Sequence, residues 1–391
     1  MAGALDGIRI LDTTSLYSGP LATMVLGDQG ADVVKIEMPG GHGDLMRVSG
    51  LTRGGIAATF HAVNRNKRSL VLDLRDERGV AVLKDLAASA DAFVENYRPG
   101  VVQRLGIDEP TLRAIHPDIV YVSITAWGES GPMAPRPAFD SIVQSMSGFA
   151  ASQADSSGKP ALIHNAIVDK VTGLHAAQAI TAALLARERG AGGQHVKLNM
   201  LDAGVAFLWL DVMQHRTFVG DEQPKKNSWL RLMRTRDGFL MISVVRDSMF
   251  QAAAHALGSE DLARDPRFVE ANTRMTHLAD LCDEFEKRIE HRATAEICEK
   301  LAAADVPHAP VTALEDVEAL EQVIHNESVR EFDHAASGRI RQAAPVAAFG
   351  GTPASVRRMA PTLGEHSREV LLELGRSEAD VDALISAGVV E

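Results

Sequence analysis

Between Ile8 and Ala126, short apolar runs rich in β-branched residues alternate with stretches of helical periodicity, and this alternation constrains the fold most. Ile8–Asp12 reads as a strand and Thr13–Gly19 as the loop after it. Pro20 then opens a helix through Leu26 that should end by Gly30. Ala31–Glu37 is a second strand and Ser69–Leu74 a third. A helix over about 76–89 is followed by strands at Asp91–Asn96 and Ile119–Ala126. Such an order builds an α/β fold with a doubly wound parallel sheet, whose ligands sit at the strands' C-terminal ends.

No GxGxxG or Walker pattern opens any of these units. Gly40-Gly41-His42-Gly43 lacks a helix pattern after it and reads as a turn. The domain is therefore Rossmann-like in architecture, with no nicotinamide or flavin expected.

Trp127–Phe139 is a loop with three prolines, and Phe139–Phe149 reads as a helix. A helix from Ile167 should end at Arg189-Gly190. Gly193–Met200 is a strand, and Met200–Phe218 a long apolar helix. Gly220–Asn227 reads as a linker. Beyond it come a hairpin over Leu232–Val245 and helices at about 248–257, 275–291 and 294–304. Ala343–Pro361, rich in Pro and Gly, looks like a return crossing before a helical tail at Leu363–Leu384. The expected division is a large domain over 1–219, a smaller α+β domain over 228–320, and a return to the large domain over 321–391.

The 391 residues are 46% apolar, enough for a substantial core in more than one domain. A net charge of -12 opposes binding to nucleic acid or anionic membranes, while leaving room for an anionic ligand held by a few local arginines. Two cysteines, Cys282 and Cys298, in helix-like segments argue against a disulfide framework or a zinc site, and no metal is expected. With no apolar run near 18 residues and no signal-peptide pattern, the expected location is cytoplasmic.

Asp169 stands at the front of the Ile167 helix. The apolar stripe is expected at Ile167, Val171, Leu174, Thr181, Leu184 and Leu185, with Gln178 its polar interruption. An Asp in a first turn ordinarily caps orphan N–H groups or complements the helix dipole. The alternative is a carboxylate aimed into a cleft as a nucleophile. Spacing alone leaves both open.

The segment order resembles the class III CoA-transferases, the formyl-CoA and carnitine CoA-transferase family, whose superfamily includes the alpha-methylacyl-CoA racemases. The resemblance is carried by Leu5-Asp6-Gly7-Ile8-Arg9-Ile10-Leu11-Asp12, by Gly30-Ala31-Asp32-Val33-Val34-Lys35-Ile36-Glu37, and by Asn66-Lys67-Arg68-Ser69-Leu70-Val71-Leu72-Asp73-Leu74. It continues through Val94-Glu95-Asn96-Tyr97-Arg98-Pro99-Gly100, Gly131-Pro132 with Asp140, Asp169-x-x-Thr172-Gly173, and Leu363-Gly364-Glu365-His366. It implies a large domain built from both chain ends, a smaller inserted domain, and an interlocked homodimer. It also implies acyl-CoA and carboxylic acid substrates, with Asp169 forming an anhydride and then an aspartyl-CoA thioester. A carboxyl near its ordinary pKa of about 3.9 would be ionised, and as good a leaving group as the acids it exchanges. Backbone N–H groups at a helix start could serve as oxyanion donors. The resemblance assigns CoA to Leu72, Arg75, Asn96, Arg104 and Met200, with Arg98 and Arg136 added as looser candidates.

Four positions set the chain apart. Tyr17, beside Ser18, stands where formyl-CoA transferases carry Gln, and Met38 where an Arg is common. No glycine-only run is found; the region reads Pro224-Lys225-Lys226-Asn227-Ser228-Trp229. Phe139, before Asp140, stands where racemases carry a proton-moving His. The expected acid pocket is therefore Tyr17, Ser18, Phe139 and Asp140, with Trp127 nearby. Its apolar walls suit a medium or branched acyl group better than formate or oxalate. A racemase, with His164 as the nearest candidate proton carrier, is the alternative activity; a non-catalytic acyl-CoA-binding paralogue is a further one.

Overall fold

The computed structural model describes residues 2–155, 157–220 and 231–391. Two compact units emerge: the chain up to Gln214 together with His325–Glu391, and His215–Ile324.

The first unit opens with β1 (Arg9–Asp12), α1 (Ser18–Asp28) and β2 (Asp32–Glu37), then a short hairpin of β3 (Thr52–Arg53) and β4 (Ile56–Ala57). It goes on through α2 (Ala58–Asn64), β5 (Lys67–Val71), α3 (Glu77–Ala87), β6 (Ala92–Glu95), α4 (Val101–Leu105), α5 (Glu109–Ile115) and β7 (Val120–Thr125). Next come α6 (Asp140–Ser147), α7 (Phe149–Ser152), α8 (Ile167–Ala186), β8 (His195–Asn199) and α9 (Met200–Trp209).

In the second unit, β9 (Met233–Arg234), β10 (Phe239–Ile242) and, later in the chain, β11 (His308–Pro310) form an antiparallel sheet. It also holds α10 (Asp247–Ala256), α11 (Ala271–Thr276), α12 (Leu278–Ile289) and α13 (Thr294–Ala303), around a core that includes Leu240, Phe250, Phe268 and Phe285. After α14 (Glu321–His325), the first unit resumes with a hairpin of β12 (Val329–His334) and β13 (Gly338–Ala343), then α15 (Ser367–Glu373) and α16 (Glu378–Ser386).

Six parallel strands make the main sheet in the order β5-β2-β1-β6-β7-β8. Alternation along each strand sends side chains to opposite faces. Ile10, Val33, Val94 and Val122 meet α1 and α8 on one face; Leu11, Val34, Phe93 and Tyr121 meet α3, α15 and α16 on the other. Winding runs outward from β1 to β5, then returns to lay β6 on the other side of β1. Loops after β1 and β6 therefore diverge, and an open α/β sheet has its ligand crevice at such a switch point.

Several elements differ from expectation for identifiable reasons. β5 begins at Lys67, whose ammonium is 2.8 Å from Asp12, followed by Arg68, whose guanidinium is 2.7 Å from Asp32; ion pairs hide the strand's charged start. The helix through Phe149 breaks at Gly148, where φ is +100°. The long apolar helix stops at Trp209, well short of Phe218. The 275–291 helix divides at His277 into α11 and α12. The β3–β4 and β12–β13 hairpins and α2 were not foreseen. α8 buries Val168, Val171, Thr172, Ala176, Ile180, Ala183 and Leu184, leaving Leu174 56% and Leu185 50% exposed, so its stripe is rotated from the expected one. Residues 221–227 of the expected linker, and the Pro224–Trp229 stretch, lie outside the described residues. No described helix is long and apolar enough to cross a membrane.

Candidate active site

The two switch-point loops are stitched together. Thr13 donates from its N–H (2.9 Å) and its hydroxyl (3.0 Å) to the Val94 carbonyl. Ser15 N–H donates to Asn96 Oδ1 at 3.0 Å, and Asn96 Nδ2 donates back to the Ser15 carbonyl at 2.8 Å. Leu16, at φ +69°, then turns the chain into α1. That helix starts at Ser18, two residues before the expected Pro20, so Ser18 belongs to a helical first turn. Ser18 and Gly19 carry orphan N–H groups there, while Pro20 has none.

Gly173 brings this first turn to Asp169. A Cβ on Gly173 would lie 2.6 Å from the Ser18 carbonyl and 3.1 Å from a Leu21 methyl, so only glycine lets α1 approach α8 this closely. Asp169 is one turn earlier on α8, with its carboxyl near enough to the Ser18 hydroxyl and backbone N–H for both to favour its ionised form.

The start of α8 is set from behind. Its N-cap, Ala166, supplies no side-chain bond. Asp140 Oδ2 instead accepts the Asp169 N–H at 2.9 Å, and Asp140 Oδ1 accepts from Gln144 Nε2 at 2.5 Å. Gln144, 1% exposed, also donates to the Asn165 carbonyl at 2.9 Å and accepts from Ile163 N–H at 3.0 Å. One buried amide thus ties α6 to the approach of α8. Because the Asp169 N–H is engaged, the donors near the carboxyl come from the start of α1, not from Asp169's own helix.

Electrostatics correct another expectation. Burial first, then the Asp140 charge, pushes the Asp169 carboxyl up to about 7, against the pull of Ser18. The group is therefore held well above the range assumed for a freely ionised Asp. Asp169's charge, added to burial, also raises the Tyr17 phenol.

A cavity of about 170 Å³ opens on Asp169 and is lined also by Ser18, Asn96, Arg98, Arg136, Phe139 and Met200. Trp127 lines it too, with its indole N–H fixed on the Arg136 carbonyl at 3.1 Å. The guanidiniums of Arg98, Arg104 and Arg136 have no ion-pair partner among the described residues.

Five sequence-selected residues lie outside this cavity's lining. Leu72 is 0% exposed in the core and bridges Val390, so its side chain is out of a ligand's reach. Arg75 forks onto Asp73 at 2.8 and 2.9 Å. Arg104 is on α4. Tyr17 packs toward Met46, Ile56 and Phe60. Asp140 stands behind the helix start. His164 is exposed, and no described histidine lines the cavity. Sequence reading missed Gln144, although its position four residues after Asp140 puts both on one helix face. Among the described residues, no group of three His, Cys, Asp or Glu side chains could hold a metal ion.

Comparison with known proteins adds a whole-chain match. Residues 5–367 fit the profile of CoA-transferase family III. The chain is 34% identical to succinyl-CoA:glutarate CoA-transferase of Mus musculus, over 99% of this chain and 90% of that protein. It is 32% identical to acetyl-CoA:oxalate CoA-transferase of Acetobacter aceti, over 96% and 97%. A crystal structure of a CaiB/BaiF family protein from Brucella suis superposes with a TM-score of 0.83 at 30% identity, covering 96% of this chain and all of that one.

Proposed function

The chain belongs to CoA-transferase family III, and we propose that it moves CoA from an acyl-CoA to a free carboxylic acid through covalent intermediates on Asp169. The carrying observation is a carboxyl that opens, beside Ser18, on a narrow cavity lined by both residues. An Asp169 oxygen attacks the thioester carbonyl, the C–S bond breaks, and CoA departs as thiolate, leaving a mixed anhydride between Asp169 and the acyl group. The thiolate attacks the aspartyl carbonyl and expels the donor's carboxylate. The acceptor carboxylate then attacks the aspartyl-CoA thioester, and returning thiolate attacks the acceptor's carbonyl to free Asp169.

The raised carboxyl, up to about 7, bears on direction. A more basic carboxylate is the stronger nucleophile and the poorer leaving group. In both anhydrides the substrate acid is then the better leaving group, which favours thiolate attack at the aspartyl carbonyl in the first and opposes the attack that frees Asp169 in the second. This replaces the expected equality between Asp169 and the acids it exchanges. Each Ser18 donor aimed at a developing oxyanion would be worth about 3 kcal/mol by analogy with known acyl-transfer sites. With Phe139 at the racemases' His position and no described histidine lining the cavity, racemase chemistry is not favoured.

Arg98 and Arg104, on either side of Gly100 at the start of α4, are assigned to CoA's phosphates. Arg136 is assigned to a second carboxylate on the acceptor. A small cavity with a free guanidinium favours a short dicarboxylate over the medium or branched acid expected from Tyr17 and Phe139. Glutarate and oxalate, in the names of the two relatives, are of that class. The unit is also assigned a homodimeric state, supported by exposed apolar residues such as Ile142, Met146, Leu174 and Leu185.

The test is transfer from succinyl-CoA to a panel of labelled mono- and dicarboxylates. Dicarboxylates should outpace monocarboxylates of equal length, and Asp169→Ala should abolish transfer. A reversed preference removes the Arg136 assignment, and an active alanine variant removes Asp169.

A further inference from the structure

Beneath the loop that leads to Ser18 lie six buried ionisable side chains. Asp12, Glu37 and Asp44 face Lys35, Lys67 and Arg47, and each is 5% exposed or less. Burial works against the Lys35 charge, but Asp44, Asp12 and Glu37 outweigh it and push the ammonium up to about 12. Ion pairs of this kind contribute little net stability, because desolvation offsets their attraction, and apolar replacements of similar volume are often neutral or better. Stability is therefore a weak account of this cluster.

Its polar contacts converge on the backbone of the loop. Lys35 Nζ is 2.9 Å from Asp44 Oδ2 and donates to the Thr14 carbonyl at 2.8 Å. Asp44 Oδ1 accepts the Leu16 N–H at 3.1 Å, where the chain takes its left-handed turn, and the Met46 N–H at 3.0 Å. Asp12 accepts the Thr14 N–H at 2.9 Å. With Asn96 holding both polar atoms of the Ser15 backbone, the loop is pinned at each residue from Thr13 to Leu16. Ser18 follows two residues later. A misplacement of about one ångström at a reacting group can lower a rate roughly a hundredfold.

We propose that Lys35 and Asp44 are positioning residues for acyl transfer, fixing the Thr14 and Leu16 backbone so that Ser18 meets the Asp169 carboxyl. This rests on reading Asp169 as the nucleophile. Neither side chain touches substrate; each acts through the loop. Oxyanion donors act mainly in the transition state, so their displacement lowers kcat with little change in KM.

The experiment compares three variants by steady-state kinetics on succinyl-CoA with glutarate, or on the pair the acid panel returns, with thermal midpoints measured alongside. Asp44→Ala takes away the Leu16 acceptor, and Asp44→Asn keeps an oxygen there. The double variant Lys35→Met/Asp44→Leu replaces the pair with apolar groups that should fold even if Asp44→Ala does not. Asp44→Ala and the double variant should lose about tenfold or more in kcat, with KM for succinyl-CoA within about threefold. Asp44→Asn should recover most of the loss. A folded Asp44→Ala or double variant within about twofold of the parent kcat overturns the proposal, as does an Asp44→Asn variant as slow as the alanine. Asp169→Ala, run in parallel, separates the two readings: if it still transfers CoA, the nucleophile assignment fails whatever Asp44 does.

Discussion

At the scale of single residues, a raised carboxyl has a cost that can be measured. Asp169 sits at about 7 in the fold against an ordinary 3.8. Between those values the folded chain binds more protons than the unfolded one, so stability is greatest below about 3.8 and declines as pH rises through 7. Allowing for its partial exposure, the ionised group costs the fold roughly 2–4 kcal/mol above pH 7. Asp169→Asn removes that charge and should raise the thermal midpoint more at pH 8 than at pH 5; an equal change at both would contradict the raised carboxyl. Asp169 was legible because a whole-chain pattern singled it out, and Ser18 because it stood beside a departure from that pattern. Gln144 was not, since a lone Gln in a helix carries no mark of the four-way tie it makes. Leu72 and Arg75 show the reverse: the pattern names them, while the core and Asp73 hold their side chains.

Among the elements, the crossing of α1 on α8 decides the site. Gly173→Ala would drive a Cβ into the Ser18 carbonyl and Leu21, and overpacking of this kind typically costs about 1–3 kcal/mol. The helices would part where Ser18 meets Asp169, so kcat should fall about tenfold or more in a protein that still folds. Unchanged kcat in that variant would mean that Ser18 needs no such closeness. Strands buried on both faces were readable from their β-branched runs, as at Asp32–Glu37 and Val120–Thr125. The start of β5 was not, because Lys67 and Arg68 are buried through partners distant in sequence. Both strands of the β12–β13 hairpin carry charges along an exposed surface, which masks their alternation. On α8 the expected stripe ran through Leu174 and Leu185, two large residues that the chain leaves exposed. Burial instead follows small residues such as Ala176 and Ala183, which a reading weighted to large apolar side chains passes over.

Over the whole molecule, alternation of strand and helix was enough to anticipate a parallel sheet, because each connection must cross a face. Strand order is a different matter: the reversal between β1 and β6 follows from packing, yet it is what brings Ser15 and Asn96 together. Exposed Ile142, Met146, Leu174 and Leu185 belong to this scale too, as the apolar surface on which the proposed homodimer rests. Light scattering should return twice the mass of one chain, and a single-chain mass at micromolar concentration would contradict that assignment. The central claim, that Asp169 becomes covalently bonded to CoA, is tested most directly by intact-mass analysis after incubation with succinyl-CoA alone. A CoA adduct should appear, map to Asp169 by peptide analysis and be released by hydroxylamine. An unmodified chain during turnover, or an adduct that persists in Asp169→Ala, would contradict it.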